Sequence, residues 1–238
     1  MNFIFAIILL AVGFNLLRTL IFFILHLRPL SENEVKDLAE KRRKKLINNY
    51  YRFSSQETTV DKEFKSNMNP NGIYYEMDED LYYFPAIVAA LLKYKKHEWI
   101  VIGFEKDKKI VLMWVNKGED NSSVTPLLSR EEIKNKALKM NSNTVLKFHN
   151  HPNSNPNYYD CTNPSKQDKL SAGVLSEEVV EENINYIDFV CERGLHYKFH
   201  EDYNDNFYHI EKIIKKIEQE NNNTKLQNYK LHRERVSK

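Results

Sequence analysis

His149, Asn150, His151 and Pro152 stand in a row, and Ser165 and Asp168 follow them in the pattern S-x-x-D. Two histidines with one residue between them project from the same face of an extended strand, because strand side chains alternate with period two. Both imidazoles can then reach one metal ion. Alone, the H-x-H pair is a weak signal, and a polar loop holding two histidines is commoner. Three neighbours strengthen the metal interpretation. The pair closes TVLKF (144–148), Pro152 stops that strand and frees a loop, and Asp168 falls in what reads as the first turn of a helix. Three protein ligands leave a fourth tetrahedral position for water, which is the catalytic and not the structural arrangement of zinc. Zinc lowers the pKa of such a water towards ~7 and polarises a carbonyl. The chemistry also requires a base for the water's proton and a donor for the developing oxyanion. Ser165, one helical turn before Asp168, suits the donor role and is equally the N-cap of its helix.

The elements that must position these groups follow from patterning. EWIVIGF (98–104) and IVLMWV (110–115) are short, β-branched and aromatic, and EKDKK separates them, so they predict a hairpin. Ser129 with Glu132 predicts a helix over 129–141 through a capping box. The run 144–148 is the third strand, 166–182 a helix, and 184–192 and 195–199 two further strands. Residues 78–93 read as a helix with Phe84, Ile87, Val88, Leu91 and Leu92 on one face and Pro85 in its first turns. A terminal helix is expected over 207–220, with a polar tail from Asn221. Helices alternating with strands give an α/β or α+β fold, a mixed β-sheet flanked by helices.

H-x-H-P, a loop and then S-x-x-D resembles the signature of the JAMM (MPN+) metalloproteases, and its wording is similar to their RadC-like JAB branch. The order of landmarks agrees: Glu98 opens EWIVIGF, a hairpin follows, Arg130-Glu131 opens a helix, then come VLKFHNHP and Pro164-Ser165-Lys166-Gln167-Asp168. The resemblance covers roughly 78–200. It implies a JAB/MPN (cytidine-deaminase-like) architecture and a Zn2+ cofactor. It further implies His149, His151 and Asp168 as metal ligands, Glu98 as catalytic base and Ser165 as catalytic oxyanion support. Glu105, on the same predicted strand, is the alternative base. The loop 153–164 is longer than the family's usual one, which is entropically cheap, and it could overhang the metal through Tyr158 and Tyr159. Asp160 and Cys161 lie in that loop as less favoured ligands. His97 is expected to point away from Glu98, and His196 and His200 to serve surface or core roles.

The implied activity is zinc-dependent hydrolysis of a peptide or isopeptide bond in a protein or peptide substrate. A RadC-like DNA-associated or membrane-tethered binding module without peptidase activity is the alternative. The formal net charge of +2 and the absence of a basic-aromatic groove argue against a nucleic-acid partner. The two cysteines, Cys161 and Cys191, form no spaced pair, so no disulfide framework is expected.

Residues 1–28 differ from the rest. The apolar run 3–27 would reach roughly 37 Å as a helix, against a hydrocarbon core of ~30 Å. Arg18 opposes insertion by about 2.5–3.5 kcal/mol, which the surrounding Leu, Ile, Phe and Val outweigh. A single-pass transmembrane helix is expected. A cleaved signal peptide lacks its basic n-region and small-residue site here, and an interfacial helix would need a broader polar face than Asn15 and Arg18 provide. KRRKK at 41–45 then places the carboxy-terminal bulk in the cytoplasm. The expected organisation is a membrane anchor at 1–28, a charged juxtamembrane helix and linker at 29–71, a metalloprotease-like domain at 72–203, and a helix with a polar tail at 204–238.

Overall fold

A computed structural model describes residues 12–21, 31–34, 36–37, 62–93, 95–120, 123–152, 162–204 and 208–236. The chain divides into two units, Met1–Lys45 and Leu46–Lys238. In the first, 12–21 is helical and its Phe14, Leu16, Leu17 and Leu20 are exposed. A short helical stretch begins after Ser31, where Ser31 and Glu34 exchange the two hydrogen bonds of a capping box. No helix among the described residues is long and apolar enough to cross a membrane. The rest of the segment expected to span, and KRRKK, lie outside the described residues.

The second unit is an α+β fold built on a six-stranded mixed sheet of order β1-β3-β2-β4-β5-β6. Its strands are β1 (Asn71–Asp80), β2 (Trp99–Lys106), β3 (Lys109–Lys117), β4 (Thr144–Asn150), β5 (Asn185–Glu192) and β6 (Leu195–Asp202). Its helices are α1 (Lys62–Asn67), α2 (Phe84–Leu92), α3 (Arg130–Met140), α4 (Lys166–Val180) and α5 (Tyr208–Val236). β4 and β5 pair in parallel, joined through α4; every other pair is antiparallel. The hairpin β2–β3 turns at Asp107 and Lys108, both with positive φ, as a two-residue hairpin loop of matching twist requires.

The sheet is covered on both faces. On one, Phe84, Val88 and Leu91 of α2 and Ile210, Ile214 and Ile217 of α5 pack on Leu146, Phe148, Ile187 and Phe189. On the other, Ile133 and Ala137 of α3 and Ala172, Leu175 and Val179 of α4 pack on Ile100, Ile102, Phe104 and Val145. Each fully buried apolar side chain contributes about 1.5–3 kcal/mol. Gly103 allows the close approach of α2, since a Cβ there would lie 2.4 Å from a Phe84 ring carbon.

Three elements differ from the sequence expectation. Residues 71–80 form a strand, so the helix expected from 78 begins only at Phe84, with Pro85 in its first turn. The reason is tertiary: β1 completes the edge at β3 and lays Tyr75 and Met77 against the core. Within the expected linker, α1 brings Phe64 onto the core, and Met68 is buried just after it. Finally, α5 continues through the expected polar tail. Asn221 is buried, and its side chain both donates to the carbonyl of His196 and accepts from its N–H, so β6 gains a partner from a helix.

Candidate metal centre

All seven residues of β4 are buried. It pairs with β2 on one side, Ile100 opposite His149, and with β5 on the other. Buried on both faces, its alternation separates chemistry from core. Leu146 and Phe148 enter the α2/α5 layer, while Lys147 and His149 line a cleft of about 300 Å³ on the α3/α4 side. His151 follows directly and lines the same cleft.

The third group arrives from the start of α4. Ser165 is the N-cap: its Oγ accepts from the Asp168 N–H at 3.1 Å, and its own N–H donates to Asp168 Oδ2 at 2.7 Å. This capping box folds the Asp168 carboxylate back over the helix start, where it meets both histidines. His149 Nε2 and His151 Nε2 are 3.1 Å apart. Asp168 Oδ1 lies 3.4 Å from His149 Nε2, and Oδ2 lies 3.5 Å from His151 Nε2. Bonds of about 2.0–2.1 Å in a tetrahedral zinc site put ligand atoms roughly 3.3–3.4 Å apart, so the two imidazole nitrogens and the Asp168 carboxylate have the spacing of a shared ion. Among the described residues, no other group of His, Cys, Asp and Glu has ligand atoms gathered in this way. His149, His151 and Asp168 could therefore hold a metal ion. Burial alone would raise the Asp168 carboxyl, but hydrogen bonding from both imidazoles and Ser165 outweighs it and holds the group well below the usual carboxylate range.

Glu98 stands at the same end of the sheet, one residue before β2, and lines the cleft with Ser165, Asp168 and both histidines. Burial pushes its carboxyl up; nearby His151 and His149 oppose the shift, and Asp168 adds to it. The Glu98 N–H donates to the Asp120 carbonyl at 3.0 Å, and its carbonyl accepts from the Gly118 N–H at 2.8 Å. Asn150 completes the clamp: its Oδ1 accepts from the Trp99 N–H at 2.8 Å, and its Nδ2 donates to the His97 carbonyl at 3.1 Å. The residue between the two histidines thus pins the backbone on both sides of Glu98. Sequence reading passed over Asn150, although a polar residue ending a buried strand must find partners.

Glu105, the alternative base, lies elsewhere. It pairs with Thr144 at the opposite end of β4, and one oxygen accepts from the Lys108 N–H at 2.5 Å. His196 is buried, its ring edge-on to Phe189. His97, His196 and His200 do not line the metal cleft. Tyr158, Tyr159, Asp160 and Cys161, with most of the expected flap, lie outside the described residues. A scan against protein-family models finds no match, and a search of curated proteins finds none either.

Proposed function

We propose that this chain is a zinc-dependent metallopeptidase or isopeptidase of the JAMM type, its second unit a JAB/MPN domain. The observation that carries the proposal is one cleft holding three side chains at metal-ligand spacing together with a buried glutamate. Bound zinc would supply a Lewis acid and a water of lowered pKa. His149, His151 and Asp168 are the residues that hold the ion. Glu98, pushed up by burial, accepts the proton of the attacking water and returns it to the leaving amine. Ser165 lines the same cleft, and its O–H donates to the oxyanion. The exposed apolar helix at 12–21 supports an amino-terminal membrane anchor, since lipid is the solvent that suits such a surface. With that anchor, KRRKK keeps the catalytic unit on the cytoplasmic side.

Metal analysis of the full chain tests the proposal. About one equivalent of zinc is expected at a single three-ligand site, with most of it lost in His149→Ala. A pool of peptide and isopeptide substrates should be cleaved by the parent and not by that variant. Less than about half an equivalent in the parent overturns the zinc assignment. Full occupancy without cleavage of any member overturns the peptidase assignment.

A further inference from the structure

Beneath the β4 face that carries His149, the parallel strand β5 places a buried polar group. Lys147 is in register with Asp188, and the Asp188 side chain is wholly buried. Its Oδ2 accepts from Lys147 Nζ at 3.0 Å and from the Tyr186 hydroxyl at 2.8 Å. Its Oδ1 is buried with no hydrogen-bond partner, and His149 Nδ1 lies 3.9 Å from it. A buried carboxylate oxygen left unpaired costs free energy, and it stays there only if something compensates.

We propose that Asp188 is the positioning residue of His149, its Oδ1 accepting the Nδ1–H when Nε2 serves a metal. This rests on the metal site proposed above. An imidazole that ligates through one nitrogen must carry its proton on the other, and a carboxylate there fixes tautomer and ring plane and raises ligand basicity. The separation exceeds a hydrogen bond by about 1 Å, so the ring turns towards Asp188 when Nε2 takes the metal. Lys147 and Tyr186 have a defined part. By holding Oδ2 they stop the carboxylate turning, so that Oδ1 remains on the side of His149. The edge of the ring contact with Phe199, centroids 5.8 Å apart and nearly perpendicular, limits the ring from another side.

The test is zinc affinity, measured on the full chain by competition with a chromophoric chelator. The proteins are the parent, Asp188→Asn, His149→Ala and the double variant, with circular dichroism confirming the fold of each. Asp188→Asn should weaken zinc binding about 10- to 100-fold, and should add nothing once His149 is alanine. In the zinc-loaded parent, the His149 Nδ1–H resonance should move upfield on Asp188→Asn. An unchanged affinity overturns the proposal. So does an equal loss with and without His149, because Asp188 would then act through the fold. If Asp188→Asn does not fold, Tyr186→Phe replaces it, with a smaller loss that again requires His149. A parent that binds no zinc removes the proposed function and this inference together; a parent that binds zinc while Asp188→Asn is indifferent removes this inference alone.

Discussion

On one face of β4, Leu146 and Phe148 pack with Ile187, Phe189 and the isoleucines of α5; on the other, Lys147 and His149 meet Tyr186 and Asp188. Both faces are buried, but beyond Val145 the second carries charged groups and lines the cleft. Phe148 stacks on Phe189 with ring centroids 4.8 Å apart and gains from contact area. Lys147, wholly enclosed, is tolerated only because Asp188 neutralises it at 3.0 Å. A central strand covered on both sides can thus spend one face on cohesion and keep the other for charged groups, provided each polar atom is answered. Asp188 Oδ1 is one of the buried polar atoms left unanswered, and it is the one beside His149.

Glu98 and Glu105 give the sharpest way to break this comparison, and the largest effect. Glu98 precedes β2 on the metal side, whereas Glu105 is in register with Thr144, on the side of Leu146 and Phe148. Glu98→Gln should retain zinc and lose hydrolysis about 10²- to 10⁴-fold, the contribution of a positioned base. Glu105→Gln should leave hydrolysis unchanged. Progress curves on the cleaved member of the substrate pool decide it, and comparable losses in both would erase the distinction between the faces.

The two buried histidines come next. His196 sits in the α2/α5 layer, and burial lowers its pKa from 6.5 to about 4, with a hydrogen bond to the Ile217 backbone opposing the shift. The folded value lies below the unfolded one, so the neutral ring's contribution is complete above pH 6.5. It is lost as pH falls towards 4, because the unfolded chain takes the proton first. A loss of about 3 kcal/mol over that window follows, read from chemical denaturation at stepped pH. His196→Phe should flatten the slope. A slope that persists would assign the acid sensitivity to the metal side.

The smallest expected effects compare two capping boxes. Ser129 caps α3 and Ser165 caps α4 with the same pair of hydrogen bonds. Each serine to alanine change should cost about 1 kcal/mol in denaturation. Only Ser165→Ala should also weaken zinc binding, since its partner Asp168 is a proposed ligand. Equal zinc affinity in the two variants would mean that the Asp168 carboxylate is held by the remaining Ser165 N–H alone.

Much of this site was legible before any coordinates, because its rules are local. The H-x-H spacing shares a strand face by alternation, S-x-x-D is at once a helix start and a carboxylate that could hold a metal, and EKDKK between two apolar runs is a turn. The capping box read at Ser129 and the N-cap read at Ser165 both form. The strand β1 was hidden because Asp78–Asp80 adjoin a strongly apolar helix, and only the edge of β3 selects extended backbone there. Asn221 read as tail because its partner, the His196 backbone, is distant in sequence. The amino-acid sequence by itself determined which residue types stand at metal spacing and which segments carry them. The tertiary structure alone decided that Glu98 and not Glu105 faces the ligands, that Asn150 clamps it, and that Asp188 lies behind His149. Those outcomes depend on strand register and on the parallel crossover through α4, which no short-range pattern encodes.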